Sequence, residues 1–268
     1  MEVAHGLKPI EKRKTNYSFH RTFGSVTTFP DSYDCNAFPT EAPDQNADGY
    51  PEACTAYAQT FLCGNEDKTH YVPLFTYTKT HVIDGGSMGD PCSMYDSLKS
   101  TIVYGVQLPT ETTDVQAYTH KRGQYYQIQQ TPQMDWFDAI RSALYVNRGA
   151  NRAVSIGSPW FPEWNAFGHG SVMPMPTTPY QQCNWHDWAV SGWETTNGVQ
   201  YLIAHTWRGQ AGDPVRFSRE VINKVMSISG TGAFTLAQWD GTPLTVQYSI
   251  LYTLQVLIGM MIRKLTGK

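Results

Sequence analysis

Charge is scarce in this chain. Asp, Glu, Lys and Arg make up 16% of its 268 residues, against about a quarter in an average soluble domain. The formal net charge is −3 and no basic tract occurs. That excludes a nucleic-acid partner, which needs clustered cations to displace counterions. Cysteine is sparse too: Cys35, Cys54, Cys63, Cys92 and Cys183 are scattered, with no Cys-x-x-Cys pair among them. An odd, dispersed set predicts free thiols rather than a disulfide framework, and no zinc site. The opening "MEVAHGLKPIEKRKTNYSF" lacks the apolar core of a signal peptide, so no secretion signal is read there.

What the chain does have is apolar and aromatic bulk. Hydrophobic residues are 41% and aromatics 13%, enough to build the core of one large domain. Residues 1–28 are polar and irregular and read as an arm. Helical spacing predicts helices at 53–63, 93–104 and 135–146, the second stopped by Gly105. Shorter, partly alternating runs at 153–158, 187–194, 198–207 and 214–218 read as strands split by Gly, Asn and Pro. Helices first and strands later predict an α+β protein in two lobes with a cleft between them.

"GYPEACTAYAQTFL" (49–62) places Cys54 at or just before a helix N-terminus. Such a cysteine is either a buried core thiol or a thiolate favoured by the helix dipole. A nucleophile needs a base, and His186 and His205 border two adjacent predicted strands, "HDWAVSGWE" and "YLIAHTW". If those strands pair, both imidazoles can face one point.

These segments together resemble the papain-like cysteine peptidases, in their bacterial and viral style. "FPDSYD" (29–34) is similar to the entry segment of the mature enzymes. "PDQ" (43–45) and "CTAYA" (54–58) resemble the glutamine loop and nucleophile helix, and "SMYDSLKSTIVYGV" (93–106) the second helix. "HDWAVSGWE" (186–194), with Gly192, resembles the histidine strand, and "YLIAHTWRGQAGD" (201–213) the stretch that normally reads Asn-Ser-Trp-Gly. The match runs in order over about residues 29–225. It implies a papain-like fold, with a helical left lobe and a barrel-like antiparallel right lobe, as a peptidase domain at 29–227 between an arm (1–28) and a C-terminal extension (228–268).

The resemblance implies roles residue by residue. Cys54 is the nucleophile, His186 its base, Gln45 with the Cys54 amide the oxyanion site, and Trp207 a shield over the histidine. His205 stands where the family's orienting asparagine would, and a second imidazole there can ionise. Pro91 and Cys92 in "GDPCS" (89–93) stand on the substrate-binding wall, where the family has glycine. Gln45 and Cys54 are nine positions apart, a longer loop than the family's. Within it, Asp44, Asn46 and Asp48 followed by Gly49 fit the start of a calcium loop, but the later bidentate acid is missing, which favours an Asx turn. No other metal or cofactor is expected.

Residues 244–262, "LTVQYSILYTLQVLIGMMI", carry no charge. They read as a docking helix, with membrane contact as the alternative. The two terminal arms suggest protein partners, and the missing signal points to a virion component, such as part of a phage tail, or a cytoplasmic protein. Two functions follow from the sequence. One is a cysteine peptidase acting on peptide or cell-wall peptide bonds. The other is an inactive papain-like module, favoured by His205, Pro91 and Cys92.

Overall fold

The computed structural model describes residues 7–10, 18–41, 43–146, 148–209 and 213–238. The uncharged run 244–262 and the arm residues 1–6 and 11–17 lie outside them. So the docking-helix and membrane expectations fall outside the described residues. No described helix is long and apolar enough to cross a membrane.

The left lobe is built on α2 (Cys54–Asp67), with α3 (Pro73–Asp84) and α4 (Met94–Val103) packed beside it. Eleven of the fourteen residues of α2 are buried. Its sequence is therefore small and uncharged almost all round, as befits a helix enclosed on every side. The helix ends where Lys68 turns left-handed, and the buried Arg122 clamps that end through Asp67 and, at 3.0 Å, the Cys63 carbonyl. The predicted helices at 53–63, 93–104 and 135–146 correspond to α2, α4 and, later in the chain, α6 (Trp136–Val146). The sequence reading missed α3. Its Thr-rich run weakens a helical signal, yet Pro73 starts it and Gly85, at φ 74°, ends it.

The right lobe is one antiparallel sheet. Its strands are β2 (Tyr33–Asp34), β4 (Arg122–Ile128), β5 (Val154–Trp160), β6 (Asn184–Thr196), β7 (Val199–His205), β8 (Val215–Ser218) and β9 (Gly232–Gln238). The order is β4-β9-β5-β6-β7-β8, with β2 also on β6. The helices α6 and α7 (Arg219–Met226) pack on the sheet, and two shorter helices, α1 (Phe19–Phe23) and α5 (Asp114–Ala117), lie in the connections. Four predicted strands are β5 to β8; β4 and β9 were not predicted. Because β9 inserts between β4 and β5, the compact unit runs to Gln238. The domain end expected at 227 is thus placed too early. Residues of the predicted N-terminal arm also join this unit: β1 (Leu7–Lys8) pairs in parallel with β3 (Cys92–Ser93), and α1 packs on β4.

The two lobes meet where α2 packs on β6. Gln59 Nε2 donates to Asp187 Oδ2 at 3.1 Å and to Ser155 Oγ at 3.0 Å, and Ser155 Oγ donates to Asp187 Oδ1 at 2.6 Å. This sealed polar junction ties the helix to two strands. Nearby, β2 crosses β6 so closely that a Cβ on Gly192 would lie 2.1 Å from the Tyr33 carbonyl oxygen. Glycine is therefore required at 192 by backbone contact. Gly192→Ala should destabilise the fold by about 2–3 kcal/mol. A thermal melt checks this, and an unchanged melting temperature would contradict the close strand crossing.

Candidate active site

Cys54 is the first residue of α2, so its thiol sits at the positive end of the helix dipole. The loop before it folds back on itself: Tyr50 N donates to the Gln45 carbonyl and Ala53 N to the Tyr50 carbonyl. The same loop is stitched to the segment after β7. Gln45 N donates to the Trp207 carbonyl at 3.0 Å, Gly209 N to the Pro43 carbonyl at 3.1 Å, and Asp44 bridges Arg208. Gln45 is 2% exposed and its Nε2 donates to the Pro51 carbonyl at 2.6 Å. An amide nitrogen has two hydrogens, so this bond fixes the group and uses one of them.

Of the residues suggested for calcium, the carboxylates of Asp44 and Asp48 are engaged by the protein itself. Asp44 Oδ1 accepts from Asn46 N and Ala47 N, which is an Asx turn, and Asp48 accepts from the Tyr57 hydroxyl.

His186 lies near the start of β6 and, like Cys54, has no exposed surface. The rings of Trp160 and Trp188 stand edge-on to it at 5.2 and 5.0 Å. Its Nε2 is 3.1 Å from the Thr206 carbonyl oxygen. A carbonyl only accepts, so Nε2 carries a hydrogen in every protonation state and Nδ1 is the atom that exchanges a proton.

This corrects the role expected of His205. Its Nε2 pairs with Ser191 Oγ at 3.2 Å, and its ring packs on Phe61 of α2 at 4.7 Å. The group that holds His186 is instead the main chain of the following residue. Burial lowers the His205 pKa to about 4, so it is neutral in the ordinary range and adds no second cation. Trp207 stacks on His205 and packs against Tyr57 and Phe61, and its Nε1 donates to the Asp187 carbonyl at 2.9 Å.

The Thr206 carbonyl is aimed by a strained turn. Trp207 has φ 60°, a region that bulky residues rarely occupy. The buried Asp213 carboxylate holds the turn by accepting from the amides of Thr206 and Trp207. Burial pushes its pKa up to about 6 against those hydrogen bonds. The sequence reading missed Asp187, Gln59, Ser155 and Asp213. Asp187 did leave a signal, as a lone acid in the apolar strand "HDWAVSGW". Burial first holds its carboxyl well above the usual range.

Of the residues expected on a substrate-binding wall, Pro91 is half-buried and Cys92 buried, and the Cys92–Ser93 main chain is already paired with Leu7–Lys8. A Cβ on Gly157 would meet Ile10 Cδ1 at 2.7 Å and Leu7 Cδ2 at 2.9 Å, and Ile10 N donates to the Gly230 carbonyl at 2.8 Å. Residues 7–10 thus bridge β3 of the left lobe and the strands of the right lobe.

No protein-family model matches the chain, and no curated protein matches it. Solved structures do. Xylellain, a cysteine protease from Xylella fastidiosa, is 16% identical with a TM-score of 0.66, covering 88% of this chain and 97% of its own. Digestive procathepsin L 3 of Tenebrio molitor is 18% identical with a TM-score of 0.62, covering 88% and 77%. Bromelain from Ananas comosus, bound to the E64 inhibitor, is 18% identical with a TM-score of 0.54, covering 79% and 100%. The fold is that of the papain-like cysteine proteases: two lobes, with α2 and β6 meeting between them.

The neutral burial of His205 has a measurable consequence. Its folded pKa of about 4 lies below the unfolded value of 6.5. The unfolded chain therefore binds the extra proton, and stability falls as pH drops from 6.5 towards 4. His205→Asn should remove roughly 3 kcal/mol of that acid sensitivity, at about 1.4 kcal/mol per pH unit. Parallel melting curves of the two proteins over pH 7 to 4.5 would show this, and equal slopes would contradict it.

Proposed function

We propose that the protein is a cysteine peptidase in which Cys54 and His186 perform the reaction and residues 7–10 keep the site closed. The observation that carries the reading is the His186 Nε2 bond to the Thr206 carbonyl, on a strand packed against the helix that Cys54 begins. That bond leaves Nδ1 to take the thiol proton.

In this mechanism the Cys54 sulfur attacks the peptide carbonyl as its proton passes to His186 Nδ1. The oxyanion is held by the Cys54 N–H and by the Gln45 amide hydrogen that Pro51 does not use. His186 gives its proton to the leaving amine, and the thioester is hydrolysed by water that His186 deprotonates. The substrate class is peptide or cell-wall peptide.

Cys54 and His186 have no exposed surface, which by itself suits an inactive module. The bridging segment at 7–10 supplies another reason for their closure. Several solved structures of this fold are proforms, Tenebrio molitor procathepsin L 3 and the ragweed allergen Amb a 11 among them. A role in a larger particle is a further proposal, resting on the sequence of 244–262 alone.

The epoxide E64 tests the reading. It should label the wild-type protein slowly and at Cys54, and Cys54→Ala should abolish labelling while the melting temperature changes little. The double substitution Leu7→Asp and Ile10→Asp, which breaks the apolar contacts at Gly157, should raise the labelling rate at least tenfold. No labelling of that variant, or labelling that survives Cys54→Ala, would favour the inactive module.

A further inference from the structure

The described residues bring together one group of cysteine, histidine and carboxylate: His81, Asp84 and Cys92. His81 and Asp84 occupy the last turn of α3 and Cys92 opens β3, so a helix end and a paired strand fix all three. One donor atom from each lies within 4.8 Å of the other two. His81 Nε2 is 3.6 Å from Cys92 Sγ, and His81 Nδ1 is 3.1 Å from Asp84 Oδ1. The Gly86 N–H donates to the same Oδ1 at 2.8 Å, and a Cβ on Gly86 would lie 2.6 Å from His81 Nδ1. The turn therefore packs directly on the ring and holds its plane. Asp84 Oδ2 is buried without a hydrogen-bond partner, and the nearest cation, Lys8 Nζ, is 3.8 Å away.

We propose that His81 and Cys92, oriented by Asp84, form a binding site for a thiophilic divalent cation such as zinc. Three observations support it. First, zinc bound to sulfur at about 2.3 Å and to imidazole nitrogen at about 2.05 Å, at a tetrahedral angle, sets the two donors about 3.6 Å apart. That is the separation found here. Second, a ligating histidine usually donates its other N–H to a carboxylate. Asp84 Oδ1 accepts from Nδ1, and this leaves the Nε2 lone pair facing the sulfur. Third, a deprotonated Cys92 and the Asp84 carboxylate would outnumber the one cation found beside them, Lys8, and buried charge requires a counter-charge.

Binding replaces the Cys92 S–H bond by a metal–sulfur bond and releases one proton to solvent. Without metal, burial keeps the thiol protonated, its pKa pushed up to about 12 with the Asp84 charge contributing. In the proposed site, water completes the coordination. The site lies at the pairing of Lys8 with Ser93 and Leu7 with Cys92, so the cation and the Lys8 ammonium compete to neutralise Asp84.

Cobalt(II) is the probe, used on the full chain carrying Cys54→Ala and Cys183→Ala to remove the helix-start thiol and the half-exposed one. One equivalent should bind with a thiolate-to-cobalt charge-transfer band and tetrahedral visible bands, and added zinc should bleach both. Cys92→Ser should remove the charge-transfer band. His81→Asn, which keeps the thiol, should weaken binding at least tenfold, and Lys8→Ala should tighten it. Circular dichroism confirms that each variant is folded. No cobalt binding at tenfold excess, a band that survives Cys92→Ser, or an unchanged affinity in His81→Asn would overturn the site.

Discussion

One buried carboxylate shapes everything near the candidate active site. Asp213 accepts the amides of Thr206 and Trp207 and so holds the backbone of Trp207 in a left-handed conformation. That twist aims the Thr206 carbonyl at His186 and the Trp207 carbonyl at the amide of Gln45. A histidine, an indole and an amide donor are thereby set by a single turn. The strain of a bulky residue at positive φ, on the order of 1–3 kcal/mol, is offset by these bonds and by the packing of Trp207 against Tyr57 and Phe61. The orientation of His186 then rests on a main-chain atom that cannot ionise, unlike the imidazole that the sequence suggested for this task.

The same economy of charge runs through the interior. Asp187 is buried beside His186 in sequence, yet its carboxyl faces Gln59 and Ser155 and links α2 to β5 and β6. The low charge content of the chain thus has a structural counterpart. Among the ionisable groups placed inside, Asp187 and Arg122 join one lobe to the other, and Asp213 shapes a turn.

Much of this was legible in the sequence, and the failures are instructive. The α2 and α4 helices show apolar spacing, and the predicted strands alternate, so both lobes were foreseen in chain order. The α3 helix was not, because threonines dilute its pattern. The β9 strand was missed because it lies beyond the expected domain end, and only the pairing partner reveals its place. Cys54 and His186 could be named because side-chain chemistry has a letter. The Thr206 carbonyl has none: every residue carries that atom, and only the turn at Trp207 makes it special. His81, Asp84 and Cys92 lie up to eleven positions apart with no Cys-x-x-Cys spacing, so the sequence argued against a metal that the folded arrangement suits. The segment at 7–10 reads as part of an irregular arm because its partners, β3 and Gly230, are remote in sequence.

Against the Thr206 carbonyl, His186 is held as the Nε2–H form, with Nδ1 left to exchange the proton. Nitrogen-15 NMR of the ring in histidine-labelled protein, assigned by comparison with His186→Gln, tests it most directly. Nε2 should remain protonated at every pH at which the protein is folded, with only Nδ1 titrating. A neutral ring carrying its hydrogen on Nδ1 would contradict the account.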